Sequence, residues 1–151
     1  MYHLIVKSKV KDSFIALSLG DYKPAVALMS PQCHYKFVGS HALGGSRSNR
    51  NLIEQWFQRF LRVLPGFQFG TDKIIVQGWP WNTTITVKLS VAWKDKSGQT
   101  YANDALQMIS LKWFKAVDIL TIDNSQEFAK LLERVATEFG IREAIAEPIE
   151  G

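Results

Sequence analysis

The chain is short of several things, and each shortage closes off a class of function. Among its 151 residues there is one cysteine, Cys33. That excludes an intrachain disulfide and any multi-cysteine metal site. No apolar run approaches the roughly 18 residues that a membrane-spanning helix needs. Lys7, Lys9, Lys11 and Asp12 break up the apolar N-terminus, so no signal-peptide core and no small-residue cleavage site can be read there. Asn82-Thr83-Thr84 fits a glycosylation sequon, but without a secretion signal the match has no weight. A cytoplasmic protein with no membrane partner is expected. The three histidines, His3, His34 and His41, form no i, i+4 pair and have no cysteine or carboxylate at metal spacing. No Gly-x-Ser-x-Gly elbow occurs. Neither a metal nor a cofactor is expected.

What is present describes a folded domain. Hydrophobic residues make up 46% and charged residues 21%, a balance that supports a core and argues against disorder. The length suits one domain over residues 1–151, burying roughly 70% of its unfolded surface. The net charge of +4 hides a gradient. Residues 1–62 hold nine Lys or Arg and three Asp or Glu, whereas residues 116–151 hold three and eight. A basic half raises nucleic acid as a partner. However, Lys7, Lys9, Lys11, Lys23, Arg47, Arg50, Arg59 and Arg62 come from several helices and a loop, and no nucleic-acid motif joins them. That partner ranks last.

The pattern reads as helices, then strands, then a helix. Val6, Val10, Phe14 and Leu17 recur at helical spacing. Gly20 suits a C-cap and Asp21 an N-cap for a short second helix with Pro24 in its first turn, which Pro31 ends. Cys33 to Val38 reads as a strand and Gly39 to Ser48 as a loop. From Asn49 to Leu64, Ile53, Trp56, Phe57, Phe60 and Leu64 form a wide apolar stripe, stopped by Pro65-Gly66. The period then changes to two. Ile74 to Trp79 is a strand, and Ile85, Val87, Leu89, Val91 and Trp93 alternate with smaller or polar residues. Lys96 to Gln99 is a hairpin turn. Thr100 to Phe114 returns as a strand, and a turn near Lys115 leads to Val117–Asp123. Ser125 suits the cap of a last helix through Phe139, closed by Gly140. The result is α+β: helices on one face of an antiparallel sheet, with the space between them a natural pocket.

Gly39 to Ser46 nearly matches a phosphate-binding loop, but Gly45 stands where the lysine would be, so it reads as a plain loop or a pocket wall. Cys33, in an apolar stretch, reads as a core residue rather than a nucleophile. The aromatics are numerous enough to fill a core and also line a cavity. Trp79-Pro80-Trp81-Asn82, between two strands, suits a pocket rim. By alternation Tyr101, Asn103, Ala105, Gln107, Ile109, Leu111 and Trp113 share one strand face, with the polar members at one end. Val117, Ile119, Thr121 and Asp123 share another, again polar at one end. A greasy cavity with a polar floor would raise the pKa of a carboxylate such as Asp123 and make it a base near neutral pH. Otherwise Asp123 caps the strand end or the last helix. Asp104 and Asp118 fall on the opposite faces.

Several strings in this order resemble the SnoaL-like polyketide cyclase group of the nuclear transport factor 2-like superfamily. They are Gly20-Asp21-Tyr22, His41-Ala42-Leu43-Gly44-Gly45, Ile53 with Trp56-Phe57 and Arg59, Pro80-Trp81-Asn82-Thr83, Tyr101 with Asn103, and the terminal Asp123. The resemblance implies a cone-shaped, curved antiparallel sheet wrapped around helices with an internal pocket, and commonly a homodimer. The superfamily includes ketosteroid isomerase, cyclases, dehydratases and epoxide hydrolases, as well as members that only bind. Thr121 stands where the group often has tyrosine, Asn49 where it has glycine. The first strand offers His34 and Tyr35 but no carboxylate for an isomerase base.

One expectation is therefore a cofactor-independent acid–base enzyme acting on an apolar, carbonyl-containing substrate. Asp123 and His41 would be catalytic. Tyr101, Asn103, Gln107, Thr121 and Asn82 would contact the substrate, and Trp56 and Trp81 would wall it. The alternative is a binding module that uses the same pocket for a small apolar ligand, or its sheet for a partner. A homodimer through the sheet fits either.

Overall fold

A computed structural model describes residues 1–151. Helix α1 (Tyr2–Ser18) buries Val6, Val10, Phe14 and Leu17, the stripe its sequence predicts. A short helix, α2 (Lys23–Ala27), follows; Asp21 accepts the Lys23 N–H at 3.0 Å, one residue ahead of the helix boundary at Tyr22. Strand β1 (Met29–Phe37) starts earlier than expected. Pro31 does not end the preceding element but sits inside β1. It is tolerated because the ladder to its neighbour lapses between Met29 and His34. Strand β2 (Gly45–Arg47) is cut from the predicted loop. Helix α3 (Arg50–Val63) is capped by the Asn49 side chain, which accepts from Asn51 N–H at 2.7 Å.

The strands β3 (Gln68–Trp79), β4 (Asn82–Lys94), β5 (Thr100–Lys112) and β6 (Lys115–Asp123) complete one six-stranded sheet in the order β2-β1-β6-β5-β4-β3. All neighbours are antiparallel except β1 and β6, which run parallel. The sheet is curved and unclosed. The inward residues of β4 are Ile85, Val87, Leu89, Val91 and Trp93, as the alternation predicts. On β6 a bulge opposite Ser110 and Leu111 turns Ala116 inward in place of the expected Val117. The last hairpin turns at Trp113-Phe114, earlier than Lys115, with positive φ of 52° and 71°. Helix α4 (Ser125–Phe139) is capped by Asn124, whose side chain accepts from Glu127 N–H, and not by Ser125. Asn124 is the residue just outside the helix, whose side-chain oxygen can fold over the unpaired amides of the first turn, whereas Ser125 is already inside it.

Helices α1, α3 and α4 press their apolar faces on the concave side of the sheet and form one continuous core. The C-terminal end returns along β2: Ser48 N–H donates to Gly151 O at 2.7 Å, and Gly151 N–H donates to Ser46 O. This return joins the acidic and basic halves of the sequence. Glu143 accepts from Arg62 at 2.6 Å and from Arg59 at 3.3 Å. Arg47 is fully buried and donates to Ile149 O and Gly44 O. Arg47 and Arg59 are spent inside the fold, and Arg62, though exposed, is held by Glu143, so the three do not form one free basic face. No helix is long and apolar enough to cross a membrane.

Candidate functional site

The curvature of the sheet leaves a cavity of about 130 Å³ between it and the helices. Of its 30 lining residues, 25 are hydrophobic, and the charged ones are Lys9 and Asp123. The exposed lining residues Ile5, Lys9 and Phe114 lie at one end, which is the mouth. Asp123 lies at the other end of β6, nine residues from Phe114, or roughly 30 Å of extended strand.

The floor is built by cross-strand register. Ala105 pairs with Asp123 and Gln107 with Thr121, while Phe37 pairs with Thr121 from the other side. Gln107 Nε2 donates to Thr121 Oγ1 at 2.9 Å, and both side chains are buried. The Tyr35 hydroxyl neighbours Thr121, and burial pushes this phenol up to about 12, so it keeps its proton. Burial likewise pushes the Asp123 carboxyl up to about 6. Its Oδ1 is buried without a hydrogen-bond partner. A buried acceptor left unpaired inside a cavity is a group poised to receive a proton or a donor from a ligand.

Of the residues singled out from the sequence, Asp123, Thr121, Gln107 and Trp56 meet at this cavity. Trp56 is a wall, but its indole N–H is already given to Leu43 O at 2.7 Å. His41 does not reach the cavity. Its ring packs on Phe37 (centroids 5.4 Å apart) and Phe128 (5.0 Å), and these two rings line the cavity and shut it off. Neither ring nitrogen has a partner, and burial lowers its pKa to about 4, leaving it neutral. Tyr101 and Asn103 lie beyond the floor; Asn103 donates to the Tyr101 hydroxyl at 2.8 Å, and neither lines the cavity. Trp81 and Asn82 are exposed on the β3–β4 turn, outside the cavity, because Trp79 and Asn82 close a two-residue turn that carries both outward.

Tyr35, named on the first strand in the sequence but not placed among the site residues, also lines the cavity. The signal was available: Cys33, Tyr35 and Phe37 alternate inward on β1. Cys33 is fully buried and its thiol is pushed up to about 12, a core residue and not a nucleophile. The loop resembling a phosphate-binding loop folds onto the core instead, with Ala42 and Leu43 buried.

No protein-family profile matches the chain, and no curated protein resembles it in sequence. Solved structures do share its fold. TerC, co-crystallised with polyporic acid, superposes with a TM-score of 0.71 at 19% identity, over 83% of this chain and 96% of TerC. PrhC from Penicillium brasilianum gives 0.73 at 15% identity, covering 91% of both chains. An NTF2-like protein of unknown function from Burkholderia pseudomallei gives 0.70 at 16% identity, over 83% of this chain and 95% of that one. The architecture is therefore the nuclear transport factor 2-like fold that the sequence resemblance implied.

Proposed function

We propose that this nuclear transport factor 2-like chain is a single-domain, cofactor-independent enzyme that moves a proton on an apolar, carbonyl-containing substrate, as an isomerase, cyclase or dehydratase does. The observation behind this reading is Asp123, a carboxylate with an unpaired Oδ1 and a pKa raised by burial to about 6, at the floor of an apolar cavity. At neutral pH it is ionised yet basic enough to take a proton from the carbon beside a carbonyl. The carbon–hydrogen electron pair moves into the new carbon–carbon double bond and leaves negative charge on the carbonyl oxygen. The Tyr35 hydroxyl, held protonated, and the Thr121 hydroxyl would hydrogen-bond that oxygen. Asp123 then returns the proton elsewhere on the substrate. The volume is below the usual range of about 300–1,000 Å³ for ligand sites, so the substrate is slender or displaces aromatic side chains.

A second reading, a non-catalytic carrier of a small apolar ligand, is favoured by the 25 hydrophobic residues among the 30 that line the cavity. Either role is compatible with a homodimer through the outer face of the sheet, where Leu106 pairs with Ile122 and Met108 with Leu120.

Deuterium uptake separates the two readings. Small aryl ketones incubated with the protein in D2O are followed by NMR at the carbon beside the carbonyl. An enzyme should give uptake with half-maximal rate near pH 6, reduced ~100-fold or more by Asp123→Asn. Ligand broadening without uptake would leave only the carrier.

A further inference from the structure

The end of the molecule at the cavity mouth breaks the ordinary rule for a soluble surface. Trp79, Trp81, Trp113 and Phe114 are each more than half exposed, and Leu4 and Ile5 of α1 stand exposed at the same end. The rings form two adjoining groups, joined at the Trp113-Phe114 turn: Trp79 stacks with Trp81 at 6.1 Å and Trp81 lies 6.3 Å from Trp113, while Phe114 meets Tyr2 at 5.8 Å. The turns are locked together, since Trp113 N–H donates to Pro80 O at 2.7 Å and His3 is hydrogen-bonded to Gly78 O at 2.8 Å.

Two further features bear on what covers this patch. First, Trp113 and Phe114 are the non-glycine residues of the chain with positive φ. A two-residue turn of this kind is best served by Asn-Gly, and bulky residues are strained in it. Strain is retained in order to hold two large aromatic side chains outward at a tip. Second, the segments that build this end, residues 1–10, 75–86 and 108–117, contain no Asp or Glu but carry Lys7, Lys9, Lys112 and Lys115, all exposed; the first acid of α1, Asp12, comes beside Lys11 further along the helix. Lys115 also donates to Ala27 O. The nearest carboxylate on that hairpin, Asp118, is paired back along the strands with Ser110.

We propose that this end docks on the surface of an anionic lipid bilayer, with the tryptophans and Phe114 at the headgroup boundary and the lysines against the anionic lipids. Amphipathic aromatic rings beside lysines, with an acid-free surround, are what such an interface selects. The cavity mouth, marked by Ile5, Lys9 and Phe114, then faces the lipid, so an apolar ligand reaches the cavity without crossing water. The absence of a spanning run, which argued against a membrane partner, does not bear on a surface contact. The inference needs only that the cavity takes an apolar ligand, whether or not Asp123 turns it over.

Flotation with vesicles of phosphatidylcholine, with and without phosphatidylglycerol, tests the proposal. The protein should float with the phosphatidylglycerol-containing vesicles, with a blue shift of tryptophan emission and binding weakened by salt. Trp113→Asn, which suits the left-handed turn, should lower vesicle affinity ~10-fold or more, with an unchanged circular dichroism spectrum. Lys112→Gln should lower it about fivefold, whereas Lys130→Gln on α4 should leave it unchanged. No flotation with either vesicle, or binding that Trp113→Asn and Lys112→Gln leave intact, overturns the proposal. So does a dimer that Trp113→Asn dissociates, in a protein that ignores vesicles. Because none of these readouts involves Asp123, they fail or succeed separately from the deuterium experiment.

Discussion

The two ends of the cavity violate opposite rules. At the floor, Asp123 Oδ1 is buried without a partner, and behind the Phe37 and Phe128 rings, outside the cavity, so are both nitrogens of His41. At the mouth, large apolar side chains are left in water and two of them occupy a strained turn. Between the two, the structure is conventional, with the stripes of α1 and α3 on an alternating sheet. Departures from local rules concentrate where function outweighs stability. The floor has the character of chemistry, an ionisable group in a low-dielectric site, and the mouth that of contact with something apolar. The two ends should therefore respond differently to the same kind of substitution.

The largest contrast is between tryptophans. Trp56 at the floor is buried, packs on Phe57, Phe60 and Tyr35, and donates to Leu43 O. Trp56→Ala should lower the unfolding free energy by about 3–5 kcal/mol, through lost burial, a new cavity and an orphaned carbonyl. Trp81→Ala at the mouth should lower it by about 1 kcal/mol, the loss of exposed ring contacts alone. Urea denaturation measures both. A comparable loss at Trp81 would make the mouth a second core and erase the contrast.

How far the sequence foretold these ends also differs. The floor was partly legible. Alternation along β5 and β6 put Gln107, Thr121 and Asp123 on inward faces, and the register bears this out. What escaped was non-local. Nothing in the run from Val117 to Asp123 announces the bulge that exchanges Val117 for Ala116. The exclusion of His41 depends on Phe37 and Phe128 meeting across the sheet and α4. Of the mouth, the rim at Trp79 to Asn82 was read from the sequence but its partner was not: Trp113-Phe114 carries no turn signal, and strand preference placed both residues in β5. Pro31 misled in the same way, because a proline that usually ends an element can sit where a ladder lapses. The charge gradient was visible at once, but its meaning, Arg59 and Arg62 closing on Glu143, needed the fold.

A second contrast lies between the floor and the histidine shut off behind it, in their response to pH. The folded protein holds Asp123 at about 6, above its unfolded value near 3.9, so the folded state binds this proton more tightly. On that account stability falls as pH rises from about 4 to about 6. His41 has the opposite sign. It is held at about 4 against an unfolded value near 6.5, so stability falls as pH drops through that window. Over the shared range the two slopes oppose each other. Asp123→Asn should unmask the histidine, giving a Tm that falls on acidification from pH 6.5 to 4. His41→Phe should unmask the aspartate, giving a Tm that rises over pH 6 to 4. Allowing for partial exposure, each effect should be about 1–2 kcal/mol, or several degrees. Parallel pH profiles for the two variants would mean that the floor is wetter than its geometry implies.

The smallest effect tests the mouth most sharply. Trp113 and Phe114, at φ of 52° and 71°, are each strained by about 1 kcal/mol relative to residues suited to that turn. They recover part of this through Trp81 and Tyr2, where an aromatic pair contributes about 0.5–1.5 kcal/mol. Trp113→Asn with Phe114→Gly replaces the turn by the sequence its geometry prefers. If strain is the larger quantity, the double variant should melt about 2–4 °C higher than the parent, and the aromatic tip stands as a feature held against stability. A lower Tm would mean that the ring contacts outweigh the strain and that the tip is a clasp between two hairpins. The mouth would then lose its standing as the counterpart of the floor.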